Sequence, residues 1–227
     1  MLYEDNPVYT VKRLSSRDEW LEARKKGIGG SDAASFVGPD VKPFKNLLQI
    51  WEDKKGLSKP QLDNEMLAYG RDMEPLMRDM FAIDHPDMIV LHKEDCMLVS
   101  VADQHRFYSP DGLIYGKDGR HGIYECKTYQ CRTKTEYLKD WGVQWNPLEH
   151  SVPDKYFCQI LHGLLVTGFD FVVVHCLVTH SDGHHEIIER WFDRDEVEDD
   201  LEELKYQEDT KWKKYFEADV KPPLEIF

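Results

Sequence analysis

Three residues in the middle of the chain have the types and spacing for metal-assisted chemistry on a phosphate: Asp111, Glu125 and Lys127. Asp111 follows a proline and precedes a glycine in Tyr108-Ser109-Pro110-Asp111-Gly112-Leu113-Ile114, which puts it where the chain enters a strand. Glu125 and Lys127 lie further on in Ile123-Tyr124-Glu125-Cys126-Lys127. Strand side chains alternate faces, so Glu125 and Lys127 share one face and Cys126 takes the other. Between them, Tyr115-Gly116-Lys117-Asp118-Gly119-Arg120 carries the glycine and aspartate of a turn, so a hairpin brings Asp111 beside the Glu125–Lys127 pair. Two carboxylates can hold a hard divalent cation through oxygen, with the ammonium near an attacking water or a charged phosphate. On spacing alone, a plain exposed hairpin accounts for the same residues, because Pro-Asp-Gly is a common turn and Glu-x-Lys a common solvated strand pair.

The elements around this hairpin must position it. Residues 1–14 read as an extended, poorly specified arm. Ser16-Arg17-Asp18-Glu19 fits a capping box for a helix running through Trp20 and Leu21 to about Lys26. Gly27-Ile28-Gly29-Gly30 ends it, and Ser31-Asp32 caps a short helix from Ala33 to Val37. Two glycines ahead of a capping serine make a loop whose N–H groups can face an anion, with Arg24 within reach of a phosphate; an ordinary helix–loop–helix corner is the alternative. Pro43 opens another helix, with Phe44, Leu47, Leu48 and Trp51 inside and Gly56 after its end. Beyond a loop at 57–63, Asn64 caps a longer helix with Met66, Leu67, Met73, Leu76, Met77, Met80 and Phe81 on its inner side. Pro75 is expected to kink or restart that helix beside Glu74.

Residues 88–101 read as strands, 128–140 as a polar, locally basic stretch, and 142–151 as a loop rich in Trp and Pro. Pro153 opens a helix that carries Gln159 and ends at Gly168. Phe171–Val178 is an apolar run expected to be a strand buried on both faces, turned by Ser181-Asp182-Gly183 into a partner at Glu186–Phe192. An acidic helix follows from Asp193 to Phe216. His184-His185 beside Asp182 reads as a polar hairpin turn rather than a second metal site. The pattern is α/β: one domain over 1–227, with a helical N-terminal part (1–60), a core (64–192) holding a central mixed sheet flanked by helices, and a C-terminal acidic helix (193–227).

The totals agree with one packed domain: 227 residues, 41% hydrophobic and 12% aromatic. No apolar run approaches the roughly 20 residues that span a bilayer, and the N-terminus lacks the basic-then-apolar order of a signal peptide. Membrane partners are therefore not expected. Five cysteines without a C-x-x-C pair point to reduced thiols rather than zinc or an iron–sulfur cluster. The net charge of −14 weighs against nucleic acid, but it is unevenly spread. Residues 10–60 hold 11 Lys+Arg against 7 Asp+Glu, whereas 182–209 hold 3 against 13. An acidic exterior with local basic sites is the result.

Taken in order, the pieces resemble the phage lambda exonuclease family, the YqaJ-type viral recombinases, within the PD-(D/E)XK nuclease superfamily. The resemblance runs through Trp20, Arg24 and Gly27-Ile28-Gly29-Gly30-Ser31-Asp32-Ala33-Ala34, then Tyr69-Gly70-Arg71-Asp72-Met73-Glu74-Pro75. It continues through Ser109-Pro110-Asp111-Gly112 and Glu125-Cys126-Lys127 and closes at Tyr156-Phe157-Cys158-Gln159-Ile160.

The resemblance implies a restriction-endonuclease-like core in which Asp111, Glu125 and Glu74 are metal ligands and Lys127 orients or activates the attacking water. Gln159 stands beside them, Arg24, Ser31 and Ser109 hold a 5′-terminal phosphate, and Leu67 is an apolar wedge for the terminal base pair. The implied activity is Mg²⁺-dependent 5′→3′ digestion of one strand of linear duplex DNA to mononucleotides, with Mn²⁺ substituting and 5′-phosphate ends preferred. It further implies a ring-shaped homotrimer, a phage single-strand annealing protein as partner, and a phage or prophage protein in the bacterial cytoplasm. Arg132, Lys134 and Lys139 are candidates for backbone contacts. Rivals are an endonuclease or Holliday-junction resolvase of the same superfamily, which needs no grip on a strand end, and a non-catalytic DNA-binding module. A Cas4-like nuclease needs a four-cysteine cluster that these scattered cysteines do not supply.

Overall fold

The structure, a computed structural model, describes residues 2–38, 41–58, 64–142 and 152–224; most of the expected loops at 57–63 and 142–151 lie outside them. Eight strands are present among the described residues: β1 (Tyr9–Arg13), β2 (Met88–Leu91), β3 (Cys96–Ser100), β4 (Phe107–Tyr108), β5 (Gly112–Gly116), β6 (His121–Cys131), β7 (Phe171–His180) and β8 (His185–Asp193). They form a five-stranded sheet in the order β2-β5-β6-β7-β8 and a three-stranded sheet in the order β1-β3-β4. In the large sheet only β6 and β7 run parallel. A parallel pair needs a crossover, supplied here by α4 (Lys134–Trp141) and α5 (Asp154–Thr167).

Alternation along the strands splits the core in two. Leu113, Ile123, Val172 and Val174 face Ile160, Leu161 and Leu164 of α5, and the same cluster takes in Leu201 and Leu204 of α6 (Glu198–Lys211). On the other face Ile114, Tyr124, Cys126, Phe171 and Val173 meet Met77 and Phe81 of α3 (Glu65–Asp84). The mixed sheet flanked by helices is thus the architecture expected, and β7 is buried for most of its length. All five cysteines are free and buried. No helix among the described residues is long and apolar enough to cross a membrane.

Several local expectations are corrected. The supposed arm contains β1, paired antiparallel with β3. Its own sequence gives little warning, because Tyr9 alone is buried in it. Ser16 does cap α1 (Arg17–Arg24), accepting from the Glu19 N–H. The next helix, α2 (Leu47–Lys54), starts at the Asn46–Gln49 capping box rather than at Pro43. Phe44 is consequently outside the core, 49% exposed.

Pro75 does not restart α3, which is continuous from Glu65 to Asp84. An interior proline costs about 3 kcal/mol, but burying Met77 and Phe81 just beyond it contributes roughly 1.5–3 kcal/mol each. Met66, Leu67, Leu76 and Met80, expected inside, are exposed, because one face of α3 suffices to cover the sheet. The basic stretch after β6 contains α4, capped by Thr133 accepting from the Glu136 N–H. At the C-terminus, Trp212–Glu217 is π-helical. Its Tyr215, with Trp212 and Phe216 partly buried beside it, packs on Ile28, Phe36, Leu47 and Ile50. The tail is therefore fastened to the N-terminal helices, with Trp51 donating its indole N–H to the Tyr215 carbonyl at 3.2 Å.

Candidate active site and phosphate pocket

The β5–β6 register pairs Gly112 with Tyr124, which sets Asp111 beside Glu125. Asp111 is fixed from two sides. Its Oδ2 accepts from the Cys126 N–H at 2.8 Å, and Arg78 from α3 donates to its carbonyl at 2.8 Å. Glu125, only 1% exposed, is fully engaged: Oε1 accepts from Lys127 Nζ and from Gln159 Nε2, and Oε2 accepts from the Tyr108 hydroxyl. The hairpin, β4 and α5 thus converge on one carboxylate. Glu74 enters from α3, close enough to exchange charge effects with Lys127 and Glu125.

The electrostatics set the carboxylates of this arrangement against one another. Burial raises the Asp111 pKa well above the ordinary aspartate value, and the neighbouring Glu125 raises it further. Glu74 is also raised, first by burial and then by Glu125, against the opposing effect of Lys127. Burial disfavours charge on Lys127, but Glu125 and Asp111 overcome it and hold its pKa above the ordinary lysine value. Lys127 is therefore an ammonium at neutral pH: it can orient water or balance a phosphate, but it cannot take a proton. Asp111 and Glu74 stay raised despite Lys127 and, at Glu74, Arg78, a mutual repulsion that a divalent cation would relieve. Among the described residues, no three such side chains already stand in metal-holding positions; Glu125 carries Lys127 and Gln159 instead. The donor chemistry suits a hard cation bound by Asp111 and Glu125, with Glu74 as third contributor.

The second group of expected residues assembles nearby. Arg24 Nη2 donates to Ser31 Oγ at 2.8 Å and stands 3.5 Å from Asp32 Oδ1. Ser109 joins through Trp20, whose indole N–H donates to Ser109 Oγ at 3.3 Å and whose ring lies 4.6 Å from the Arg24 guanidinium. Lys54 reaches Asp32 Oδ2 at 2.8 Å. Burial would raise the Asp32 carboxyl, but Lys54 and Arg24 hold it at about 2. One carboxylate between two cations leaves a net positive pocket lined by two serine hydroxyls, which suits an anion.

The loop contributes differently from the expectation. The Ile28 N–H donates to the His105 carbonyl and the Gly29 N–H to Asp32, so these two donors are already used and the anion site rests on side chains. Ser31 does not cap the following 3-10 helix (Gly30–Phe36), which starts earlier than expected, at Gly30. The glycines serve close approach instead. A Cβ on Gly27 would stand 2.3 Å from the His105 carbonyl oxygen, and one on Gly30 would press on Tyr108 at 3.0 Å and Gln159 at 3.1 Å. Tyr108 and Gln159 both hold Glu125, so the loop carrying the pocket shares a wall with the active site.

Leu67 sits in the first turn of α3 and is 43% exposed, which removes core packing as its role. Arg132, Lys134 and Lys139 lie exposed at and before α4. His184 and His185 lie at the β7–β8 turn, where His185 Nδ1 pairs with Thr179 Oγ1 at 3.0 Å. Sequence reasoning missed Tyr108, Arg78, Trp20, Asp32 and Lys54 as participants. Two signals were available: Tyr108 lies one residue before Ser109, and Trp20 one helical turn before Arg24 on a helix already assigned.

The chain is 29% identical over 163 residues to the uncharacterized protein YqaJ of Bacillus subtilis, covering 69% of this chain and 44% of that protein. It is 25% identical over 177 residues to a protein of African swine fever virus, covering 73% of this chain and 48% of the relative. The chain thus spans about half the length of the curated relatives it matches. Its fold is shared with an alkaline exonuclease, LHK-Exo, from Laribacter hongkongensis, with a TM-score of 0.54 and 16% identity over 90% of this chain and 98% of that one. A structure of LHK-Exo in complex with dAMP superposes similarly, with a TM-score of 0.52 and 17% identity over 88% and 99% of the two chains. The family model of the YqaJ-like viral recombinase domain matches residues 19–170, two-thirds of the chain and every residue assigned above to the active site and the pocket. The chain belongs to the YqaJ-like viral recombinase family.

Proposed function

We propose that this chain is a Mg²⁺-dependent 5′→3′ exonuclease that digests one strand of linear double-stranded DNA to mononucleotides. The product would be duplex with 3′ single-stranded overhangs for recombination by single-strand annealing. The observation that carries this reading is the adjacency of two sites of opposite charge balance. The carboxylate-rich cage around Glu125 and the net positive Arg24–Ser31–Ser109 pocket meet at the Ser109-Pro110-Asp111 segment. A terminal 5′ phosphate held by Ser109 would lie next to the carboxylates that act on the following phosphodiester. An enzyme that cuts internally has no use for such an end-binding pocket. The fold shared with LHK-Exo, an alkaline exonuclease with a dAMP-bound structure, supports the same reading.

Asp111 and Glu125, with Glu74, would hold Mg²⁺ or Mn²⁺, which when bound polarises the scissile phosphate and makes water a better nucleophile at neutral pH. Arg78 and the Cys126 N–H hold Asp111 in place, while Tyr108 and Gln159 fix the Glu125 carboxylate. Lys127 positions a phosphate oxygen or the attacking water as an ammonium. Arg24, Ser31 and Ser109 grip the end, and Leu67 wedges the terminal pair. A homotrimeric ring, a phage single-strand annealing partner and a place in the cytoplasm of a bacterial host extend this proposal from the resemblance.

The test is a time course with Mg²⁺ on linear duplexes bearing 5′-phosphate or 5′-hydroxyl ends and on a closed circle, using wild type and Lys127→Ala. The proposal expects one strand of the phosphorylated linear duplex to become mononucleotides, with the circle intact and the variant inactive. Cutting of the circle would replace the exonuclease with an endonuclease, and no cutting at all would leave a DNA-binding module.

A further inference from the structure

An aromatic and basic strip runs outward from the catalytic lysine on the α5 side of the cage. Lys127 Nζ lies 5.3 Å from the centre of the Tyr156 ring. The Lys155 ammonium lies 5.2 Å from that same ring and 4.8 Å from the ring of Phe44, and the two rings are 5.8 Å apart. Tyr156 is buried and serves the core, whereas Phe44 offers half of its surface to solvent. Phe44 does not belong to the α2 core, because that helix begins three residues later at Leu47. Lys42, also exposed, flanks it.

The strip is positively unbalanced in a chain of net charge −14. Burial lowers the Lys155 pKa first, Asp140 opposes this, and the nearby cations Lys42 and Lys127 lower it further. No ion pair to Lys155 or Lys42 is formed among the described residues. An exposed aromatic face beside ammonium groups is the combination that binds single-stranded nucleic acid: the ring stacks a base and the lysines take the backbone phosphate.

We propose that Phe44, Lys155 and Lys42 form a nucleotide subsite for the digested strand next to the scissile phosphate, with the base on Phe44 and the backbone phosphate on Lys155. The inference rests on the nuclease reading and adds to it a site outside the carboxylate cage and the end-phosphate pocket. It gives the strand a second hold, so that the phosphodiester is presented to Lys127 from a fixed direction.

The experiment uses a 5′-phosphorylated duplex with an unpaired 5′ end carrying 2-aminopurine at its second nucleotide. Binding is followed by fluorescence in EDTA, where no cleavage interferes, and cutting is then started with Mg²⁺. Wild type is expected to quench the probe. Phe44→Ala is expected to lose the quenching and bind about tenfold more weakly, whereas Phe44→Trp restores both. Lys155→Ala is expected to lower the slope of log affinity against log salt by about one. If Phe44→Ala quenches, binds and cuts as wild type does, this inference is overturned while the nuclease reading stands. If wild type neither binds nor cuts DNA, both are overturned together.

Discussion

Two buried charge clusters meet α5, one through His162 and one through Gln159, and their carboxylates are shifted in opposite directions. In one, Arg106 gives its Nε to Glu208 at 2.6 Å and its Nη2 to Asp209 at 2.6 Å, with Asp103 2.9 Å from Nη1. His162 in α5 stands 2.7 Å from the other Glu208 oxygen and donates through Nε2 to the Phe107 carbonyl at 2.9 Å. Burial would raise the Glu208 carboxyl, but His162 and Arg106 outweigh it and hold the pKa below the ordinary glutamate value. Around Glu125, by contrast, burial and the neighbouring carboxylates raise Asp111 and Glu74. The first cluster ties β4, α5 and α6 together. In the second, neighbouring carboxylates raise one another, which is the property expected of a candidate functional site. Burial alone does not distinguish them; the direction in which their carboxylates are shifted does.

The largest effects should separate the clusters by kind. Asp111→Asn is expected to reduce cleavage by about a thousandfold or more, while raising the melting temperature of the metal-free protein by about 2–4 °C through relief of repulsion. Kinetics and a thermal melt on the same preparation check both signs; a variant that is inactive because it is unfolded would break the comparison. Glu208→Ala should do the reverse, destabilising by about 3–5 kcal/mol because it leaves the buried Arg106 Nε and His162 Nδ1 without their carboxylate partner, as chemical denaturation would show.

The pH dependence follows the same division. A depressed Glu208 contributes stability that is complete above its unfolded value of about 4.3 and is lost as pH falls through the lower folded value. Asp111 and Glu74 are raised, so their contribution is present at low pH and declines as pH rises through their folded values. Denaturation across pH should therefore show Asp111→Asn gaining on wild type towards alkaline pH, and Glu208→Gln losing part of the acid sensitivity. Parallel curves for all three proteins would remove the distinction.

Smaller effects belong to the pocket and the wedge. Arg24→Ala should cut the preference for 5′-phosphate over 5′-hydroxyl ends by about tenfold, the worth of one charge-assisted hydrogen bond. Competition between the two substrates measures it. Leu67→Ala, at an exposed position, should change stability by no more than about 0.5 kcal/mol and slow digestion of fully paired ends more than of frayed ones.

The fold was legible wherever local pattern and tertiary demand agreed. The β5–β6 hairpin, β7, the β7–β8 turn and α5 with its left-handed Gly168 carry their periodicity and turn residues openly. Where the partner decides, the sequence misled: β1 is a strand because β3 pairs with it, and α3 shows apolar residues all round although only one face is covered. Two misreadings had a remedy in view, since the Asn46/Gln49 and Thr133/Glu136 boxes mark the true starts of α2 and α4. Asp111, Glu125, Lys127 and Gln159 were found by motif and are brought together by the fold, as are Arg24, Ser31 and Ser109. Their supports were not legible, because Tyr108, Arg78 and Asp32 act through contacts 17, 33 and 22 residues away in sequence.

On the proposed reading, the Glu125 cage takes up a divalent cation. Titrating Mn²⁺ into wild type and into Asp111→Asn, with uncleavable 5′-phosphorylated duplex present and the heat of binding recorded, tests it most directly. Saturable binding by wild type and loss of that binding in the variant are expected. Equal heats from the two proteins, or none from wild type, would contradict it.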